Sequence, residues 1–166
     1  MTDQPFDEEP PEHLRYRRYL QALEEVSEAD EVALVATVLH DPDTLMAESA
    51  VNRLLERRAA HLLTNPAFTT WAETLTTAIG DRPFLARRLS EWILLRAIAL
   101  DEPWTAEELT TASDWFQRTA SVALAVTSPE ALSLLAERGR TRRVRNAASR
   151  RLRHADQQQP DSIHTS

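Results

Sequence analysis

From Tyr16 to Leu152 the apolar side chains recur at i, i+3 and i+4, the spacing that lays them along one face of an α-helix. A first helix over about 11–27 carries Tyr16, Tyr19, Leu20, Leu23 and Val26, and a second, about 30–40, carries Val32, Val35, Ala36 and Leu39. His40-Asp41-Pro42-Asp43 breaks the pattern, which resumes over about 43–63 with Met46, Ala47, Ala50, Val51, Leu54 and Leu55. Asn65-Pro66 reads as an N-cap with Pro at the first helical position, opening a fourth helix that Gly80 stops. A fifth, about 82–100, is apolar almost all round after Trp92, so it is expected to be covered on several sides. Thr105 and Glu108 form a capping box for one continuous sixth helix over about 105–126. Ser128-Pro129 opens a seventh that ends at Gly139, and Thr141 caps an eighth reaching about His154. The pattern therefore predicts an all-α domain over 11–154, of about eight antiparallel helices joined by short turns. Residues 1–10 and 155–166 are polar, contain Pro and lack apolar period; they are predicted to be disordered tails, the first of them acidic.

Two of these stretches resemble one another. Residues 43–54 read DTLMAESAVNRL and residues 141–152 read TRRVRNAASRRL, pairing Met46 with Val144, Ala50 with Ala148, Arg53 with Arg151 and Leu54 with Leu152. The layout resembles HEAT repeats, including HEAT-like helical proteins of actinobacteria, whose second helix reads D-x-x-V-R-x-x-A-x-x-x-L after an Asp- and Pro-rich turn. Val144, Arg145, Ala148 and Leu152 follow that pattern, with Thr141 in place of the capping Asp. Asp43, Ala50 and Leu54 follow it in the earlier stretch, where Ala47 stands in place of Arg. The resemblance covers residues 32–63 and 129–153 and implies a short α-solenoid; an irregular set of helical hairpins is the alternative, because the long sixth helix lies outside a repeat of about 40–47 residues.

Composition narrows the chemistry. The 166 residues include no Cys, which excludes disulfides and thiolate chemistry, and only two Gly, too few for a phosphate-cradling loop. No apolar run approaches a membrane span and the N-terminus is unlike a signal peptide, so no membrane partner and a cytoplasmic location are expected. No nucleophile, zinc or paired-carboxylate motif is present; no catalytic residue, metal ligand or cofactor is assigned, and the chain reads more readily as a binding module than as an enzyme. In the His40–Asp43 turn, helix capping explains both Asp residues.

All 19 basic residues are Arg and the net charge is −7. Residues 1–50 carry −10, whereas residues 138–153 hold eight Arg and no acid. On a helical wheel Arg142 and Arg153 lie opposite the Val144/Ala148/Leu152 stripe, Arg143 and Arg150 share one flank and Arg145 takes the other. With Arg138 these form a basic face. It reads as a solvated cap, a docking face for an acidic protein partner, a phosphate-contacting face for nucleic acid, or a surface masked by the chain's own acidic residues 3–12.

A second candidate is a groove lined by Trp92, Arg96, Trp115 and Arg118. Arg96 interrupts an apolar helix, so it is either an internal ion pair, a snorkelling stem or an anion-binding group. Of the neighbours Trp115 and Phe116, one is expected at the surface. The leading function is a non-enzymatic protein-interaction or adaptor module using the helical surface and the Arg face. Two alternatives stand. The resemblance to HEAT-like alkylpurine DNA glycosylases implies nucleic-acid binding, although no catalytic Asp-and-Trp groove matches residue by residue, and the groove could instead serve a small-molecule- or peptide-binding helper enzyme.

Overall fold

The computed structural model describes residues 10–158, and every regular element among them is an α-helix. The chain divides into two compact units, residues 1–89 and 90–166, with the division falling inside one helix.

In the first unit α1 (Pro11–Glu25) packs on α3 (Thr44–Leu62), and α2 (Glu31–Leu39) packs on both α3 and α4 (Phe68–Ile79). The α3 stripe behaves as its spacing predicts: Ala47, Ala50, Val51, Leu54, Leu55 and Ala59 are all buried. Small residues at 47, 50 and 59 let the neighbouring helices approach, while Leu54 and Leu55 fill the space between them. Asp43 caps α3 by accepting from Met46 N (3.1 Å), and Asp41 accepts from Asp43 N (2.9 Å), so the turn between α2 and α3 is held by its own carboxylates. Asn65-Pro66 does not cap α4 directly. Asn65 Oδ1 accepts from Ala67 N (2.9 Å) in a turn, and the helix begins at Phe68. Gly80 ends α4 with φ +58°, a conformation that glycine takes without a Cβ penalty.

One polar cluster inside this unit was not legible as such. Glu31 is buried, its carboxylate meeting Arg58 Nε at 2.9 Å and accepting from Trp71 Nε1 at 2.8 Å. A buried carboxylate persists only when so satisfied.

Helix α5 (Pro83–Ala99) crosses the division. It buries Leu85, Leu89, Trp92, Leu95 and Ile98, while Ile93 is 45% exposed.

In the second unit the expected single helix over 105–126 is two. α6 (Ala106–Thr111) starts on the Thr105/Glu108 capping box, and α7 (Asp114–Val122) restarts after extended backbone at Ala112. Ser113 makes the restart possible: its Oγ accepts from Phe116 N (3.2 Å) and donates to the buried Glu91 carboxylate (2.6 Å). Gln117, also buried, donates to the carbonyls of Leu109 (3.1 Å) and Thr110 (3.3 Å), which the break leaves without helical partners. Residues 123–128 are neither helix nor strand. α8 (Pro129–Arg138) and α9 (Arg142–Gln157) pack closely together, α7 lies on α9, and α6 on α8.

The turn into α9 depends on Gly139. Its φ is −54°, so the requirement is space: a Cβ there would stand 2.4 Å from the Leu135 carbonyl oxygen and 2.8 Å from Val144 Cγ1. Val144, Ala147 and Ala148 then bury the inner face of α9. The helix runs on to Gln157, into the stretch expected to be a polar tail; residues 1–9 and 159–166, including most of both expected tails, lie outside the described residues.

Candidate functional site

The site lies wholly within the second unit and follows from two helical stripes. On α7, Trp115, Arg118, Thr119 and Val122 fall at i, i+3, i+4 and i+7, offset from the Phe116/Ala120 core stripe. On α9, Arg143, Ala147 and Arg150 fall at i, i+4 and i+7. Because α7 lies on α9, these stripes bound a hollow of about 330 Å³ with Val144 and Ala147 within it. A second, more open hollow of about 670 Å³ follows the outer face of α9 past Arg142, Asn146, Ser149 and Arg153, and Arg143 and Arg150 belong to both.

Four arginines elsewhere in the chain are neutralised by a carboxylate. Arg15 pairs with Asp41, Arg58 with Glu31, Arg88 with Glu56 and Arg140 with Asp114. Among the described residues no carboxylate pairs with Arg118, Arg142, Arg143, Arg150 or Arg153; all five are exposed, and neither hollow has an acidic lining residue. The hydroxyls nearby are already spent on their own helices, Thr119 Oγ1 donating to Trp115 O (2.8 Å) and Ser121 Oγ to Arg118 O (2.8 Å). The unspent donors of the inner hollow are therefore guanidinium N–H groups beside an apolar floor. Among the described residues the lining of this hollow includes no imidazole or carboxylate, and its guanidinium groups can donate to an anion.

Arg145 and Arg138 leave the predicted face. Arg145, on the opposite flank of α9, is half-buried and donates to Gly139 O (2.7 Å), fastening the turn. Arg138 is exposed at the end of α8 but lines neither hollow. Arg151, near the apolar edge, donates through Nη2 to Val126 O (2.5 Å), and burial pushes its guanidinium below the ordinary value.

The four residues expected to share a groove are only partly brought together. Trp115 and Arg118 line the inner hollow. Trp92 is buried, its ring 5.5 Å from that of Trp115 at 60°, and supports the floor from behind. Arg96 is half-buried, has a partner, and does not line the hollow. Phe116 is the core member of its pair, leaving Trp115 half-exposed. The union of Trp115 and Arg118 with Arg143 and Arg150 escaped the sequence reading. The offset stripe at 115, 118, 119 and 122 is a local signal, but that α7 lies on α9 is not.

Among the described residues no group of three or more His, Cys, Asp or Glu could hold a metal ion. In the His40–Asp43 turn His40 Nδ1 donates to Ala36 O (2.6 Å), Asp43 caps α3, and Asp41 receives Tyr19 Oη (2.7 Å) and Arg15 Nε (2.9 Å). These contacts hold Asp41 below its ordinary pKa of 3.8, the Tyr19 bond contributing most, and the same bond raises Tyr19. No described helix is long and apolar enough to cross a membrane.

No family model matches the chain, and no curated protein or solved structure is significantly similar to it.

Proposed function

We propose that the chain is a non-enzymatic interaction module that binds an acidic segment of a protein partner along the α7–α9 groove and the adjoining arginine face. One observation carries this reading: among the described residues Arg118, Arg143 and Arg150 meet at a hollow with apolar walls and pair with no carboxylate, in a chain whose net charge is −7. Clustered unpaired cations repel one another, and an anionic partner relieves that repulsion while gaining charge-assisted hydrogen bonds. Half-exposed Trp115 adds the kind of rigid amphipathic surface that concentrates binding energy at interfaces. The short HEAT-like solenoid of antiparallel hairpins belongs to the same proposal. Its support is that Ala50 and Ala148, the matched small residues of the two repeat-like stretches, are both fully buried on helices that follow a shorter packed helix.

The test is fluorescence anisotropy with a labelled Glu-rich peptide and with labelled single- and double-stranded oligonucleotides, at about 50 and 200 mM salt. The peptide is expected to bind, and the Arg118→Ser/Arg143→Ser/Arg150→Ser variant to lose it while keeping its helical dichroism. Oligonucleotide retention with no peptide binding would replace the acidic-protein reading by a phosphate-binding one.

A further inference from the structure

The groove is amphipathic as well as basic, and its dimensions limit what can enter. The inner hollow, about 330 Å³, equals roughly ten times one water's share of the liquid. That volume admits a side chain inserted by a partner. Trp115, Val122, Val144 and Ala147 supply its apolar walls, and Val122 is 63% exposed, apolar surface that a monomer gains nothing by showing. Arg143 and Arg150 lie two turns apart on α9, about 10.5 Å along the axis, with Ala147 between them.

An extended segment advances about 3.4 Å per residue and sends alternate side chains the same way. Two carboxylates four residues apart, with an apolar residue midway, would therefore face one surface over about 13–14 Å, a span the long guanidinium arms can meet. Resting on the acidic-partner reading above, we propose that the groove recognises an extended acidic–x–apolar–x–acidic segment. Its central aromatic or aliphatic side chain seats between Trp115, Val122 and Ala147, and its flanking carboxylates reach Arg143 and Arg150. Arg118, on the α7 side, supplies a third cation for a further carboxylate.

The experiment compares two labelled peptides of equal charge, one containing Glu-Ser-Phe-Ser-Glu and its twin with Ser for Phe, titrated against the full chain. The Phe peptide is expected to bind about tenfold or more tightly, the return for burying one ring. Val122→Ser, at an exposed position that does not threaten folding, should shrink that preference to within about threefold. Arg143→Ser/Arg150→Ser should weaken both peptides. Equal binding of the two peptides to the parent chain, or a preference that survives Val122→Ser, overturns the apolar seat and leaves the acidic-partner reading standing. Failure of both peptides to bind overturns both.

Discussion

Trp115 stands edge-on to Trp92, ring centroids 5.5 Å apart and planes at 60°, so the floor of the arginine groove is braced by a residue of the core. Trp92 is only 6% exposed, and the pairing fixes where the half-exposed ring of Trp115 presents itself. Trp115→Ala is expected to cost about 2 kcal/mol in urea unfolding, below the range for a fully buried Trp because one face already meets solvent. Trp115→Phe, which keeps an edge-to-face partner, should cost less than about 1 kcal/mol. A peptide-binding loss in the Phe variant without a stability loss would separate the ring's binding role from its bracing role.

Gly139→Ala should destabilise the chain by about 1–3 kcal/mol or more, since the new Cβ meets both a backbone carbonyl and Val144. The carbonyl contact with Leu135 is the shorter at 2.4 Å and belongs to backbone. Adding Val144→Ala is therefore expected to bring no rescue, and urea unfolding of the double variant checks this. Recovery of the parent midpoint would place the strain on the Val144 side chain instead.

The elements legible in the sequence were those whose signal is local. The Thr105/Glu108 capping box, the Asp43 cap, the Ser128-Pro129 start and the Gly80 stop all lie at or within one residue of the helix ends they predicted. The break at Ala112-Ser113 was not legible, because what stabilises it is remote in sequence: Ser113 answers to Glu91, and the freed carbonyls to Gln117. The same limit divided the arginines. The wheel placed Arg143 with Arg150 and Arg145 on the other flank, as found, but nothing local says that α7 borders one flank and the Gly139 carbonyl the other. Buried Glu31 was equally silent, since its partners Arg58 and Trp71 sit on two other helices.

Acidification should loosen the α1 attachment through Asp41. Its folded-state pKa lies below the ordinary 3.8, so the proton binds the unfolded chain more readily. The contribution is complete above the unfolded value and disappears as pH falls through the folded one. The thermal midpoint of the parent chain should therefore drop on titration below about pH 4. Asp41→Asn should be the less stable protein at pH 7 and should show a shallower fall over that window. Parallel pH profiles for the two proteins would remove Asp41 from the account.

Gln117 bears on the break more directly than any cap. Its amide donates to Leu109 O and Thr110 O and accepts from Arg140 N (2.9 Å), so one buried side chain satisfies three backbone groups at the ends of α6 and α8. Gln117→Ala leaves those groups without partners at a buried position, and each costs about 1–3 kcal/mol where water cannot enter. The expected loss is about 3 kcal/mol or more, and less if a water fills the vacated volume. Gln117→Glu distinguishes hydrogen bonding from mere filling. The carboxylate has nearly the same shape and can still accept from Arg140 N, but it has no donor for the two carbonyls and sets a negative charge against them. It should be at least as destabilising as Gln117→Ala at pH 7 and should recover as pH falls and the carboxyl gains a proton to donate. Urea unfolding at pH 7 and pH 5 reads both effects, and a Gln117→Glu protein as stable as the parent at pH 7 would show that the side chain only fills space.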